Sequence, residues 1–403
     1  ARARLRAHTP QGSRWRAEGR SVKVVPKQNG ATGRALPVSS DFNAVAAQIF
    51  KGAPGRDTDP AFPHQPFRDL SEAGLLALPV PDPPRSRGRL ASLGEEWRIL
   101  RAVARADGSV GRILDGHLNA VERVSVLAPE PLRTRELEAV ASGELILGVW
   151  GADPIPGEGA PARLVETESG GPVLEGVKTF CSGSTGLDRA LVAVRGADGA
   201  PGPPLLVYVD LRGGGFEIDR SWFRGSGMRS SESHRVSFRG ALVLAVLGEP
   251  GELVREPYFA RDAIRTATTW AGIADLAVDA ALEILAAKSG EREPDEVVSL
   301  AAGEMLAAQK TMDRWLEHAA READANPQKS LAGFSTELRA SVAACCRKIL
   351  DEATHACGSH PFATAGSLDR ARRDLELILL QHRLEPALAR TGRQAITERG
   401  PLP

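Results

Sequence analysis

The chain has 403 residues, of which 42% are hydrophobic, and its 51 basic and 51 acidic residues cancel to a formal net charge of zero. This balance gives no reason to expect nucleic acid or an anionic membrane surface as a partner. No apolar run reaches the roughly 18 residues that a transmembrane helix needs. The four cysteines lack metal-ligand spacing, and so long a chain does not need a disulfide framework. We therefore expect a soluble, cytoplasmic enzyme or small-molecule binder without a metal.

Residues 1–40 differ from the rest of the chain. They carry nine Arg and Lys residues against the single acidic residue Glu18, and they lack the apolar segment of a secretory signal. We expect a basic, flexible arm and assign it no function.

Residues 41–145 show helical periodicity. Phe42, Val45, Ala46 and Ile49 would share one helix face behind an N-cap at Ser40 or Asp41, and apolar residues recur at the same spacing after residue 92. The pattern predicts an N-terminal α-helical domain.

Residues 146–250 change character. Seven short β-rich runs are separated by turn residues, and no helical segment lies between them. A parallel α/β unit needs helical crossovers, so this pattern predicts an antiparallel β-barrel.

Residues 251–403 return to helical periodicity, in four long amphipathic segments joined by short linkers. Such a pattern predicts an antiparallel four-helix bundle. The whole chain is therefore expected to have an α+β fold with the order α-domain, β-barrel, bundle.

One histidine interrupts the apolar face of the last segment. Leu375, Ile378, Leu379 and His382 fall at i, i+3, i+4 and i+7, so the imidazole should lie on the buried stripe. Two interpretations are open: a core histidine satisfied by a neighbouring group, or a proton-handling group that faces a ligand.

Several stretches in this order resemble motifs of the acyl-CoA dehydrogenase superfamily of flavoproteins. They are "LSEAGLLALPVP", "VWGADP", "GVKTFCSGS", "GMRSSESHRVSF", "THACGSHPF" and "LDRARRDLELILL". The resemblance covers about residues 41–398. It implies an N-terminal α-domain, a central antiparallel β-barrel, a C-terminal four-helix bundle and a flavin cofactor, which would be FAD or, alternatively, FMN.

The candidate flavin contacts come from two of these motifs. Phe180 and Ser182 are two residues apart on a predicted strand, so an aromatic ring and a hydroxyl should project together, as a flat amphiphilic ring requires. The resemblance implies that Phe180 flanks the ring and that Ser182 bonds near flavin N5. It also implies that a backbone segment meets the pyrimidine edge: Val149, Trp150, Gly151 and Ala152. The alternative is a core phenylalanine and a turn-forming serine.

Other positions depart from the family pattern. Ala152 replaces a hydroxyl-bearing residue, and His355 and Gly358 stand at the second pyrophosphate contact. The segment with which relatives hold the adenosine diphosphate of a neighbouring subunit's FAD is missing. These departures leave open FMN, or a reduced flavin taken up as a substrate.

The preferred functional interpretation is α,β-dehydrogenation of an acyl thioester such as an acyl-CoA, with hydride transfer to flavin N5. The resemblance places His382 at the position of the base, with Glu385 available to orient it. Asp262, ten residues before Gly272, is a second candidate, and its alternative role is a surface ion pair with a nearby arginine.

Two alternatives come from other functional classes. Monooxygenases built on this fold use reduced flavin and oxygen, and there His382 would assist the oxygen reaction or deprotonate a phenol. A catalytically silent member of the family would act as a binding scaffold.

The remaining predictions concern substrate and assembly. Arg229 and Ser231 are candidate substrate contacts, and His117 is expected to be a core residue. We expect a homodimer or homotetramer, with Trp315 and Leu316 available for the interface, and an electron acceptor or flavin reductase as partner. No nucleic-acid or membrane partner is expected.

Overall fold

The computed structural model describes residues 41–82, 84, 89–167, 171–195, 202–381 and 383–399. The expected basic arm 1–40 and His382 lie outside the described residues. No helix in the part of the chain that the structure describes is long and apolar enough to cross a membrane.

Helices come first along the chain, as predicted. Asp107 both ends α3 and caps α4, because its carboxylate accepts hydrogen bonds from the backbone N–H groups of Ser109 and Val110. A single residue, Asp107, therefore separates the two helices. The helices before the first strand are α1 (Asp41–Thr58), α2 (His64–Glu72), α3 (Leu93–Ala106), α4 (Gly108–Leu127) and α5 (Leu132–Ala141).

The central layer is a sheet in the order β1-β4-β5-β7-β3-β2, with β6 also paired to β7. Its pairs are antiparallel except for the parallel pair β1–β4. An isolated bridge joins Arg163 of the edge strand β2 to Arg195, which directly follows β4, so the sheet curls as a barrel does. The strands are β1 (Leu147–Trp150), β2 (Arg163–Glu166), β3 (Pro172–Cys181), β4 (Arg189–Val194), β5 (Leu205–Asp210), β6 (Phe216–Asp219) and β7 (His234–Val246).

The last part of the chain is helical again. Gly272 lets α6 approach α3 closely, because a Cβ at this position would lie 2.3 Å from the Arg101 carbonyl oxygen. The helices are α6 (Tyr258–Ser289), α7 (Glu296–Ala325), α8 (Ala332–Cys357), α9 (His360–Ala363), α10 (Ser367–Ile378) and α11 (Glu385–Glu398).

The fourth segment of the predicted bundle is helical but divided. α10 ends at Ile378 and α11 begins at Glu385, so a single long helix through residue 382 is wrong. Pro386 explains the restart, because proline lacks a backbone N–H and is accepted only in the first turn of a helix. The apolar spacing continues past Ile378, but none of the side chains of α11 that the structure describes is buried.

Asp374 fastens α10 to the segment before β7. Its Oδ1 accepts a hydrogen bond from the Met228 backbone N–H. Burial raises the pKa of the Asp374 carboxyl from its ordinary value of 3.8 to about 7, although this hydrogen bond pulls the pKa down.

The raised pKa predicts a pH-dependent stability. The folded chain binds a proton at Asp374 that the unfolded chain releases, so folding should weaken as pH rises from about 4 to about 7. Asp374→Asn keeps an acceptor for Met228 N–H but does not ionise. We expect this variant to exceed the parent in free energy of unfolding by about 2 kcal/mol at pH 8 and by less at pH 5, measured by urea denaturation. If Asp374→Asn were less stable than the parent by the same amount at pH 5 and at pH 8, the raised pKa would not belong to Asp374.

Candidate flavin site

Phe180, at the end of β3, and Trp222 form a pair of aromatic rings that we call the aromatic wall. The Phe180 side chain is 54% exposed, and its ring meets Trp222 edge to face with the centroids 4.8 Å apart. Phe180 has φ of 51°, a region that non-glycine residues rarely adopt and that concentrates at functional sites. Phe180 is therefore not the core residue that the alternative interpretation required.

The local register explains this exposure. The pairing of β3 with β7 shifts between Lys178 and Cys181, so the simple strand alternation on which the sequence argument relied is interrupted at Phe180. Trp222 is held in turn, because its Nε1 donates a hydrogen bond to Glu158 Oε1 at 2.9 Å.

A chain of three serine hydroxyls leads away from the wall. Ser182 Oγ lies 2.9 Å from Ser233 Oγ, which lies 2.7 Å from Ser231 Oγ. The sequence predicted Ser182 and Ser231 for separate roles, and Ser233, which joins them, was missed. Each hydroxyl can donate and accept, so a proton can pass along the chain if each oxygen accepts a proton from one neighbour and gives its own to the next, after which the hydroxyls rotate back.

The predicted pyrimidine-edge segment consists of the last two residues of β1 and the two residues after it, and it is held to the end of β3. The Gly151 carbonyl accepts a hydrogen bond from Lys178 Nζ at 3.1 Å, and the Ala152 carbonyl accepts from the Thr179 N–H at 3.1 Å. Lys178 also pairs with Asp153 at 2.8 Å. Gly151 and Ala152 are exposed, whereas Trp150 is buried and Val149 half-buried.

Arg229 lines a cavity of about 450 Å³. Its Nη1 donates a hydrogen bond to the Asp57 carbonyl, so it also ties the motif to α1. His234 and Glu232 line the same cavity and were missed as candidates. They occupy variable positions of the "GMRSSESHRVSF" motif, so the resemblance gave no signal for them.

Asp262 lies in an ion-pair network between α4 and α6. Arg123 pairs with it at 2.6 Å and Arg265 at 3.4 Å, whereas Arg261 pairs with Glu122. Burial raises the pKa of Asp262 to about 6, against the lowering effect of these arginines. Among the described residues, the Asp262 carboxylate accepts hydrogen bonds from Arg123 and Arg265, neither of which belongs to the aromatic wall.

The other predicted residues are apart from the wall. His355 is exposed near the end of α8 beside the Asp351 carbonyl, and Gly358 ends that helix with φ of 68°. His117 is a core residue as expected: its Nε2 contacts the Leu76 carbonyl, its Nδ1 accepts from Leu147 N–H, and burial lowers its pKa to about 4. Glu385 is exposed, and its expected contact with His382 lies outside the described residues.

Comparison with known proteins identifies relatives. No family model matches the chain. A dibenzothiophene monooxygenase of Rhodococcus erythropolis is 30% identical over 237 residues, 53% of this chain and 54% of the relative. A dibenzothiophene monooxygenase of Mycolicibacterium goodii is 25% identical over 200 residues, 46% of this chain and 45% of the relative. The chain thus spans about half the length of the curated relatives that it matches.

Solved structures match more of the chain. The complex of TdsC from Paenibacillus sp. A11-2 with FMN and indole has a TM-score of 0.75 at 19% identity, covering 90% of this chain and 98% of TdsC. The methanesulfinate monooxygenase MsuC from Pseudomonas fluorescens has a TM-score of 0.74 at 21% identity, covering 90% of this chain and 97% of MsuC. KijD3 in complex with FMN and a dTDP-sugar has a TM-score of 0.74 at 20% identity, covering 90% of this chain and 96% of KijD3.

These similarities agree with the cofactor expected from the sequence and contradict the reaction preferred from it. TdsC and KijD3 are solved with FMN, which agrees with the expected flavin cofactor and with FMN as one of its two expected forms. Dehydrogenation of an acyl thioester is wrong as the preferred function, because the relatives are monooxygenases. The chain shares the α+β fold of TdsC, MsuC and KijD3, which agrees with the fold expected from the sequence, and about half of it is similar in sequence to dibenzothiophene monooxygenases.

Proposed function

We propose that the chain is a flavin-dependent monooxygenase that uses reduced flavin and molecular oxygen on a small organic substrate. The observation that carries this proposal is the 30% identity with a dibenzothiophene monooxygenase over 237 residues. Three-dimensional similarity to FMN-bound proteins over 90% of the chain supports the same cofactor class.

The residues present fit a flat amphiphilic ring. Phe180 and Trp222 offer an apolar wall, and Ser182 offers a hydroxyl at its end. The carbonyls of Gly151 and Ala152 are engaged within the protein, so a ring edge at this turn would meet peptide N–H groups. Gly116 on α4 leaves room opposite β1, because a Cβ there would approach only the Val149 nitrogen, at 3.9 Å.

When bound, reduced flavin supplies the two electrons with which oxygen is split between the substrate and water. Phe180 and Trp222 would pack against the ring and exclude water from it. The Ser182 hydroxyl would hydrogen-bond to the polar edge of the ring and orient it. The serine chain then holds or moves a proton between Ser182 and the buried Ser231.

Partners and assembly belong to the same proposal. A separate flavin reductase would supply reduced flavin, and a homodimer or homotetramer would let the exposed His355 and Gly358 approach the flavin of a neighbouring subunit. We propose His382 as the proton-handling residue, from its sequence position alone. Because Asp262 is held by Arg123 and Arg265, we assign it to positioning α4 against α6.

The reaction of the reduced protein with oxygen tests the proposal. We expect anaerobically reduced, FMN-loaded protein mixed with oxygen in a stopped-flow instrument to show a transient absorbance, distinct from reduced and oxidised flavin, before oxidised flavin returns. Free reduced FMN is the control. Reoxidation indistinguishable from free FMN would contradict the proposal, as would failure to bind any flavin, which instead supports a silent scaffold.

Removing the aromatic wall should weaken flavin binding. Because the Phe180 ring is mostly exposed, Phe180→Ala should keep the fold while FMN affinity, measured by fluorescence titration, falls about tenfold with the loss of ring contact. Phe259→Ala is the matched control, since Phe259 is 39% exposed on α6 and its removal should leave affinity unchanged. Equal affinities for both variants would remove Phe180 from the site.

Removing the proposed proton-handling group should affect turnover rather than binding. His382→Ala is expected to lower turnover about a hundredfold, the usual scale for a proton-transfer group, with FMN affinity retained. His318→Ala, on the exposed face of α7, serves as the control. Near-normal turnover of the His382 variant would exclude the residue from catalysis.

A further inference from the structure

The cavity beside the aromatic wall has the size of a ligand pocket and an uneven charge. Its volume of about 450 Å³ lies within the usual range for small-molecule sites. It is formed by the α1–α2 loop, the loop after β3 and the segment between β6 and β7. Three arginines line it against a single carboxylate, Glu232: Arg220, Arg224 and Arg229.

The Glu232 carboxylate already has two partners. Thr185 Oγ1 donates a hydrogen bond to Glu232 Oε2 at 2.7 Å, and His234 Nε2 lies 3.3 Å from the same oxygen. Burial pushes the pKa of Glu232 up, but the hydrogen bonds from His234 and Thr185 hold it below its ordinary value. Glu232 is therefore ionised at neutral pH and hydrogen-bonded to these two neighbours. Arg224 donates to the Ser221 carbonyl through Nε and Arg229 to the Asp57 carbonyl through Nη1, so each guanidinium group keeps further N–H donors for a ligand.

One buried polar atom of the cavity wall lacks a partner. His234 is only 6% exposed, and its Nδ1 has no hydrogen bond among the described residues. Because Nε2 points to Glu232, Nδ1 is the ring nitrogen left for a ligand, as an acceptor in the neutral ring or a donor in the charged ring. A buried nitrogen without a partner is unfavourable, so a bound ligand would satisfy it.

The cavity adjoins the proposed flavin site. Phe223 follows Trp222 of the aromatic wall, and His234 follows Ser233 of the serine chain. Phe62 and Phe223 supply apolar surface opposite the charged groups. Guanidinium groups match the geometry of phosphate, sulfonate and carboxylate groups.

We propose that this cavity binds an oxyanion group, such as a sulfonate, carboxylate or phosphate, carried on an apolar, ring-sized body. Naming that ligand as the substrate rests on the proposed monooxygenase function. The phosphate of FMN has the same chemistry and is the other source that the test must separate.

Binding without turnover tests the chemistry. In calorimetry on the full, flavin-free chain, 2-naphthalenesulfonate should bind at least about tenfold more tightly than 2-naphthol, which has the same rings without the oxyanion. Arg220→Gln with Arg224→Gln changes two exposed side chains, so the fold should persist while sulfonate affinity falls about tenfold and naphthol affinity stays. Arg239→Gln on β7, whose side chain is 75% exposed and outside the cavity lining, should change neither affinity.

A second variant tests the buried imidazole. His234→Gln retains an amide that can reach Glu232 but has no atom in place of Nδ1. We expect it to weaken sulfonate binding with an unchanged urea midpoint. Equal binding of sulfonate and naphthol by the parent, or parent-like sulfonate binding by the double arginine variant, would overturn the proposal.

FMN and riboflavin separate the two sources of the oxyanion. If the arginine variant loses sulfonate affinity but binds FMN as the parent does, the oxyanion belongs to the substrate. If it loses FMN affinity and keeps riboflavin affinity, the cavity holds the flavin phosphate and the substrate assignment is overturned. Because none of these measurements needs oxygen, a failed monooxygenase test and a failed cavity test are distinguishable.

Discussion

The pairing of the end of β3 with the start of β7 is the constraint on which the site depends. Cys181 pairs with His234 after a register shift, and Cys181 is fully buried. With that pair fixed, Phe180 is turned outward and Ser182 meets Ser233. One strand junction thus positions the aromatic wall, the serine chain and the cavity histidine, so a one-residue slip would disperse all three.

Buried ion pairs hold helices α3, α4 and α6 together. Arg265 on α6 is completely buried and pairs with Glu96 of α3 at 2.6 Å and with Glu122 of α4 at 2.8 Å. These carboxylates raise the pKa of Arg265 although burial opposes its charge. Removing one partner would leave an uncompensated charge, a loss of about 3 to 5 kcal/mol. The network therefore fixes α3, α4 and α6 relative to one another, and Asp262 belongs to it.

The sequence predicted the features that depend on local periodicity. Helical spacing and short β-rich runs predicted the order of helices, strands and helices, and the motif around Phe180 predicted one aromatic ring of the wall, whereas Trp222 was missed. Spacing alone could not reveal that Ser233 joins Ser182 to Ser231, because the contact depends on the pairing of distant strands. Apolar residues also continue at helical spacing past Ile378, although α10 ends there. A new helix, α11, begins at Glu385 with Pro386 in its first turn. The preferred function was wrong because one fold serves different chemistries, which are decided by the site.

A crystal structure of the chain with FMN would show whether the flavin lies against Phe180. We expect an isoalloxazine ring with atoms within about 4 Å of the Phe180 ring, beside Trp222 and the Ser182 hydroxyl. A flavin bound elsewhere, with Phe180 still in contact only with Trp222 and solvent, would contradict this expectation.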